Sequence, residues 1–456
     1  MHDLARVRTH FRYWGQVEAR ANLSPLYEVF GYAVAEDDAV LALAAECREG
    51  QPPPNVLFAA VHALLRHYPD HPLRAYCASL GGSKPADDAA GWLLREFCLT
   101  HREELLPVIH TRLTQTNEVR RCGVLLPAFA QVAGETGQPL ALIEIGPSAG
   151  LNLLFDRYQY HYGDLRVGDP ASPVALDCEP RGELGSLAIP AVVSRTGIDI
   201  NPLDVRNEAD VEWLRALLWP EHLDRLQLLD AALDVAREDP PVLHRGDVIE
   251  LLPDVVRAAT EGSTVCLFAT FVLNQFPRDL LVRFGARLLE LSHQRELRLI
   301  VMGFSEFIEA GTPLTGDVAV WHLRLRNGAG EYRQVSRATL TAAGSNQRPM
   351  WSGSPGHLRN RRRVNPKSEI PNPKSQDCRA HSRGRWLEPT PDSPWRQWIA
   401  SARPPSQIHN PKSPTVRLVA PSGTSALSPA LRPRTPRPSR CRAIRSRFGS
   451  PSSASS

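Results

Sequence analysis

Through the first 135 residues apolar positions recur every three to four places, the spacing that gathers them on one face of a helix. The pattern predicts helices over 4–17, 25–34, 38–47, 56–66, 92–98, 103–114 and 119–133. Gly50 with Pro52–Pro54, Pro69, Pro72 and the Gly81-Gly82 pair separate them. Nothing before residue 136 reads as a strand. From residue 140 the rhythm changes to strand, turn and helix, with strands predicted at 140–145, 190–199, 241–245, 264–270 and 297–303. Helices follow at 151–158, 207–217, 221–237, 254–260 and 279–291. The 264–270 stretch is nearly all apolar, as a strand covered on both faces has to be. Two alternating stretches, 318–326 and 331–339, flank Asn327-Gly328, a hairpin turn signal.

Strands alternating with helices imply an α/β fold, a mostly parallel sheet covered on both faces and finished by an antiparallel hairpin. The chain then divides into a helical N-terminal region (1–135), an α/β domain (136–343) and a tail (344–456). Residues 157–189 form an insertion in the α/β domain, a candidate lid with a short strand at 173–177.

Charge sharpens the division. Residues 1–343 hold 32 basic and 45 acidic side chains, whereas 344–456 hold 21 and 4, so the overall +4 is an acidic body joined to a basic tail. With 18 prolines in 113 residues and no periodicity, the tail buries too little apolar surface to offset its ordering entropy and is expected to be disordered. It repeats Asn-Pro-Lys-Ser at 365–368, 372–375 and 410–413, which points to inserted or out-of-frame repetitive sequence. Nucleic acid is expected as a partner only through this tail, which lacks regular aromatic interleaving. The eight cysteines are scattered without metal-ligand spacing, and no metal is expected. Reduced thiols, the lack of a signal-peptide core at the start and the lack of a long apolar run predict a cytoplasmic protein with no membrane partner.

The chemistry centres on Ala141-Leu-Ile-Glu-Ile-Gly-Pro-Ser-Ala-Gly-Leu-Asn152, where a strand runs into a turn of small residues and then a helix. Gly146 and Gly150 let backbone approach a ligand at the carboxyl end of the sheet, with Ser148 between them. Glu144 stands at the strand end, where it accepts hydrogen bonds from a cationic or hydroxyl-bearing ligand. Asp199 ends the second strand, where a carboxylate holds a ribose diol, and Asp247 follows the third, beside an adenine. Each aspartate reads equally well as a helix N-cap. Thr116-Asn117-Glu118 interrupts two apolar stretches, either as a helix cap or as polar groups presented to substrate. Tyr158 and Tyr160 fit core packing better than a pocket wall.

Glu144-Ile-Gly-Pro-Ser-Ala-Gly150, the two later acids and Phe268-Ala-Thr-Phe-Val-Leu-Asn-Gln-Phe-Pro277 resemble the successive motifs of class I S-adenosylmethionine-dependent methyltransferases. More closely, the chain resembles the bacterial domain-of-unknown-function family 2332. The matching phrases are Ser24-Pro-Leu-Tyr27, Thr116-Asn-Glu118, Ser148-Ala-Gly-Leu-Asn152, Gly197-Ile-Asp-Ile-Asn-Pro-Leu-Asp204 and Leu218-Trp-Pro-Glu-His222, with Gly384-Arg-Trp-Leu-Glu388 similar to the family's C-terminal end. The resemblance implies a Rossmann-like methyltransferase sheet that binds S-adenosylmethionine through Glu144, Gly146, Ser148, Gly150, Asp199 and Asp247. Asn117, Glu118, Asn152 and Asn274 would then lie near an acceptor the resemblance does not identify. The chain departs from the general pattern in placing Ser148 where glycine is usual. Asp199 also comes 49 residues after Gly150, against roughly 20 in simple nucleotide-binding units, which leaves Asp177 as a second ribose candidate.

Two other classes compete. A non-catalytic binding protein would keep the same fold. Gly146-Pro-Ser148-Ala-Gly150 also satisfies the nucleophile elbow of serine hydrolases, with Ser148 attacking, Asp247 or Asp254 as the acid and His293 or His322 as the base. A hydrolase elbow needs earlier strands, and residues 1–135 offer only helices. A nicotinamide fingerprint fails at Ser148 and Leu151, where it requires glycine.

Overall fold

The computed structural model describes residues 3–180, 184, 187–304, 318–339 and 377–380. The chain forms two units, Met1–Pro405 and Ser406–Ser456, and every described residue belongs to the first.

Helices come first. α1 (Leu4–Tyr13) continues through a π-helical turn (Trp14–Ala19), followed by α2 (Pro25–Ala35), α3 (Asp38–Ala44) and α4 (Pro53–Leu65). Two 3-10 turns lead to α5 (Asp88–Thr100), α6 (Arg102–Thr111) and α7 (Arg121–Thr136). Asp3, Ser24, Asp37 and Asp87 cap their helices by accepting backbone N–H groups, and Pro25 fits the first turn of α2, where a missing N–H is not needed. These helices bury their own core, with Phe11, Trp14, Tyr27, Phe30 and Phe58 at its centre. No strand occurs among the described residues before Leu140.

The sheet begins with β1 (Leu140–Ile145), then a 3-10 helix (Leu151–Arg157), β2 (Gln159–Tyr162), β3 (Leu165–Gly168) and β4 (Ala175–Pro180). Next come β5 (Val192–Asp199), α8 (Glu208–Ala216), α9 (Leu223–Glu238), β6 (Val242–Arg245), α10 (Val248–Ala258), β7 (Thr264–Thr270), a 3-10 turn (Val272–Gln275), α11 (Arg278–Leu291) and β8 (Leu297–Phe304). The hairpin β9 (Val318–Arg326) and β10 (Ala329–Thr339) follows, and β11 (Asp377–Ala380) completes the order β3-β2-β4-β11-β10-β9-β8-β7-β1-β5-β6. β6, β5, β1, β7 and β8 are parallel; β9 and β10 run antiparallel beside β8. This is a mostly parallel α/β sheet. Asn327 and Gly328 both take positive φ, 52° and 71°, as a tight hairpin turn with the sheet's twist requires.

β1, β7 and β8 are buried along their whole lengths. Leu140 and Leu142 face one core with α7 and α9, while Ile143 and Ile145 face another with α10 and α11. The two faces explain the unbroken apolar runs. Residues 157–189 contribute β2, β3 and β4, packed along α7, where the Cys178 thiol occupies the space a Cβ on Gly123 would need. Through β4 and β2 the insertion extends the sheet beyond β11. β11 lies within the 344–456 tail and pairs β10 with β4 through its backbone. The Asn-Pro-Lys-Ser repeats and the rest of the tail fall outside the described residues.

Candidate functional site

From β1 the chain builds outward to β5 and β6, then returns to β7 and β8 on the other side. The loops after β1 and β7 therefore diverge, and an open parallel sheet forms its crevice at such a switch point. Both loops hold a non-glycine residue in the left-handed region: Ser148 at φ 56° and Phe271 at φ 62°. Such conformations cost energy and persist only where surrounding contacts enforce them.

Glu144, one residue before the end of β1, is wholly buried. Burial pushes its carboxyl up to about 8, helped by the charge of Asp199 and opposed by Asn152 and Arg121. Oε1 accepts a 3.4 Å bond from Asn152, and Oε2 has no partner. Arg121, in the first turn of α7, is also buried, with Nη1 donating to Thr270 Oγ1 (3.1 Å), its guanidinium over the Phe271 ring and Nε unpartnered. The charges of Glu144 and Arg121 act on each other, yet each keeps an unused polar atom.

Asp199 ends β5 beside the turn. Its Oδ2 accepts from Ser148 N (2.9 Å) and its Oδ1 from Asn201 N (2.8 Å). Burial raises its carboxyl above the ordinary range against those two bonds. The glycines of the turn are closely covered by protein: a Cβ on Gly146 would meet Val272 at 2.6 Å, and one on Gly150 would meet Pro241 at 2.6 Å.

The turn is also covered from the helical region. Asn117 Oδ1 accepts from Ala149 N (3.1 Å) and Leu151 N (3.3 Å). Ser148 Oγ donates to the Gln115 carbonyl (3.2 Å), while the Gln115 carboxamide exchanges hydrogen bonds with Asn201 (2.8 and 2.6 Å) and donates to Asp199 (3.4 Å). Glu118 points elsewhere, into a buried 2.7 Å ion pair with Arg225. Burial alone would raise the Glu118 carboxyl, but Arg225 and Arg120 hold it below the usual range.

Of the residues singled out from the sequence, Glu144, Asn152, Ser148, Asp199 and Asn117 come together with Gly146 and Gly150. Asp247, next to Gly246, whose N–H donates to the Asp199 carbonyl (2.9 Å), caps α10, accepting from Ile249 N at 2.7 Å. Asn274 lies in the loop after β7 against Gly303, its Oδ1 buried without a partner. Asp177 is exposed on β4, paired with His161. Tyr158 and Tyr160 are core side chains whose hydroxyls bond to the Leu151 and Phe155 carbonyls. Ser148 and His293 stand at opposite edges of the sheet, Asp254 pairs with Arg257, and His322 is buried mid-strand opposite Ile300, so no triad is assembled. Arg121, Arg225 and Gln115 escaped the sequence reading. Arg121 alone carried a signal, a charge at the head of an otherwise apolar helical pattern.

Among the described residues no group of His, Cys, Asp or Glu is placed to hold a metal ion, and no helix is long and apolar enough to cross a membrane. No curated protein and no solved structure matches the chain. A family model described as an uncharacterized protein conserved in bacteria (DUF2332) matches residues 8–388, ending at Glu388 of the Gly384–Glu388 phrase. With most of its length covered by that match, the chain belongs to the bacterial family DUF2332.

Proposed function

We propose that the protein binds S-adenosylmethionine at the carboxyl edge of β1 and β5 and transfers its methyl group to an acceptor entering at the switch point. The observation that carries this reading is the pair of buried carboxyl groups, Glu144 and Asp199, flanking the glycine turn at the carboxyl edge of the sheet. The unused atoms support the fit at one end: Glu144 Oε2 suits an ammonium and Arg121 Nε a carboxylate, the two charges of an amino-acid moiety. At the ribose end Asp199 already accepts two backbone N–H groups, so a diol would take its remaining lone pairs. Gly146, Ser148 and Gly150 would line the cofactor, with Asp247 at the rim. Asn117, Asn152 and Asn274 would lie on the acceptor side, and Glu118 would act there only by holding Arg225. The bound cofactor supplies a methyl on a sulfonium. The chain's own work is then alignment and exclusion of water.

A cytoplasmic location belongs to the same reading, supported by six buried cysteines that stay in the thiol form among the described residues. A non-catalytic binding protein is the second reading, favoured by the occupation of the turn by Asn117 and Gln115.

Calorimetric titration of the full chain with S-adenosylmethionine and S-adenosylhomocysteine tests the proposal. One-to-one binding is expected, weakened at least about tenfold by Glu144→Gln. The absence of both binding heat and a thermal shift at millimolar ligand would overturn it. Binding without methyl transfer to any added acceptor would favour the second reading.

A further inference from the structure

The segment between α6 and α7 is anchored at both ends and meets the glycine turn in the middle. At one end Arg112 pairs with Asp210 (2.6 Å), the Leu113 carbonyl accepts from the Trp213 indole (2.8 Å), and Thr114 N donates to Gln51 (2.7 Å). At the other, Glu118 is fixed by Arg225 and by Arg120 N. Between them Gln115 and Asn117 meet the 146–151 turn and the Asp199–Asn201 loop through six hydrogen bonds, every one of which involves a side chain. Behind the segment, away from the turn, Thr114 and Thr116 line a cavity of ≈ 10 Å³ walled by Trp14, Tyr27, Phe58 and Trp219. Thr114 Oγ1 is buried without a partner.

We infer that residues 113–118 are a strap that takes the turn's N–H groups for itself and must leave them before any ligand reaches the turn. The two amides that open the 3-10 helix, Ala149 and Leu151, are donors a ligand would need, and one Asn117 oxygen satisfies both. Leaving buried donors unmet is costly, which is why the strap rests where it does. Lifting it breaks no backbone ladder, exchanges side-chain bonds for water or ligand, and pivots about two anchored ends. A ligand binding only the open form binds with its intrinsic affinity reduced by the open fraction. The strap follows from the contacts alone; only its response to S-adenosylmethionine rests on the reading above.

Hydrogen exchange resolved by mass spectrometry on the full chain tests it, in the wild type, Asn117→Ala and Asn117→Asp. Amides of 113–118 and 148–151 are expected to exchange together, at least about tenfold faster than those of α7 and β1. Asn117→Ala accelerates both segments about tenfold with α7 and β1 unchanged; Asn117→Asp, which keeps the acceptor, restores slow exchange. S-adenosylmethionine at 1 mM, a concentration of the order of many ligand affinities (~1 mM and below), slows 148–151 and speeds 113–118. Exchange of both segments only at the core rate overturns the strap, as does ligand protection of 148–151 that leaves 113–118 unchanged. An opening strap with no response to ligand supports the strap and sinks the cofactor reading. If Asn117→Ala fails to fold, the wild-type exchange rates with and without ligand decide alone.

Discussion

Replacing Asp199 separates its work in the fold from any work in binding. Its two oxygens accept backbone N–H groups from Ser148 and Asn201 at 2.9 and 2.8 Å, in a side chain 8% exposed. A hydrogen bond to a charged group contributes about 1.5–3 kcal/mol, and the orphaned buried donors add a desolvation cost. Burial already raises the Asp199 carboxyl, which discounts the ionised form, so the low end of that range applies. Asp199→Ala is therefore expected to destabilise the α/β region by about 3 kcal/mol, a fall of roughly 6–12 °C in melting temperature. Asp199→Asn keeps one carbonyl acceptor and should cost about half as much. Urea and thermal unfolding followed by circular dichroism measure both. An alanine variant within about 0.5 kcal/mol of the wild type would refute the reasoning, because a surface-like substitution effect would mean the turn does not depend on this carboxylate. It also follows that lost ligand binding in Asp199→Ala proves nothing unless the variant is folded at the temperature of the titration.

Other outcomes follow from the same geometry. Glu118→Gln, which leaves Arg225 buried without its partner, should cost about 3–5 kcal/mol, whereas replacing both partners by apolar residues of similar size should cost less, as a double-mutant cycle in urea would show. Gly146→Ala puts a Cβ at 2.6 Å from Val272 on a backbone at φ 69°, and a loss of about 2 kcal/mol is expected in the same assay. Stability against pH should peak near 6.5. The Glu144 carboxyl is raised to about 8, so its contribution is complete below the ordinary glutamate value and is lost as pH rises toward 8. Burial lowers His62 to about 4 and His322 to about 3, so theirs is complete above the ordinary histidine value and is lost as pH falls through that interval. Glu144→Gln should flatten the alkaline limb by roughly 1 kcal/mol per pH unit and steepen the acid limb above the ordinary glutamate value by a similar amount; an unchanged alkaline limb in urea melts would rule this out.

Much of the sheet was legible because burial on both faces leaves only apolar residues. Leu140–Ile145 and Thr264–Thr270 were found to the residue for that reason, each bounded by polar or turn-forming positions. The helix expected at 254–260 starts six residues too late, because Asp247 caps α10 and Pro253, a residue disfavoured inside helices, lies within it. β2 and β3 were missed because four-residue strands such as Gln-Tyr-His-Tyr carry too little period to distinguish from loop. β11 lies in a stretch whose proline and arginine content hides a four-residue backbone pairing. At the candidate site, Glu144 and the glycine turn were legible from local sequence. Gln115 and Arg121 were not, because their partners lie 33 to 149 residues away and nothing local encodes such distances.

The joint between the helical region and the sheet explains why the strap is where it is. Ser24 donates to Glu221 (2.7 Å), Leu26 N donates to the same carboxylate (3.1 Å), and Trp219 stacks on Trp14 at 4.7 Å. His222 bonds to the Asn22 carbonyl and to Arg225, which holds Glu118 at the end of the strap. Three phrases by which the chain resembles its family, Ser24–Tyr27, Thr116–Glu118 and Leu218–His222, thus form one continuous buried contact. Apolar packing alone tolerates small slides, because its energy depends weakly on direction. Buried hydrogen bonds and an ion pair do not, because a shift of an ångström leaves charges unmet. The joint therefore fixes the helical region in one register on the sheet. A strap with its ends pinned to that register can move only in its middle, at Gln115 to Asn117, which is the part that covers the turn.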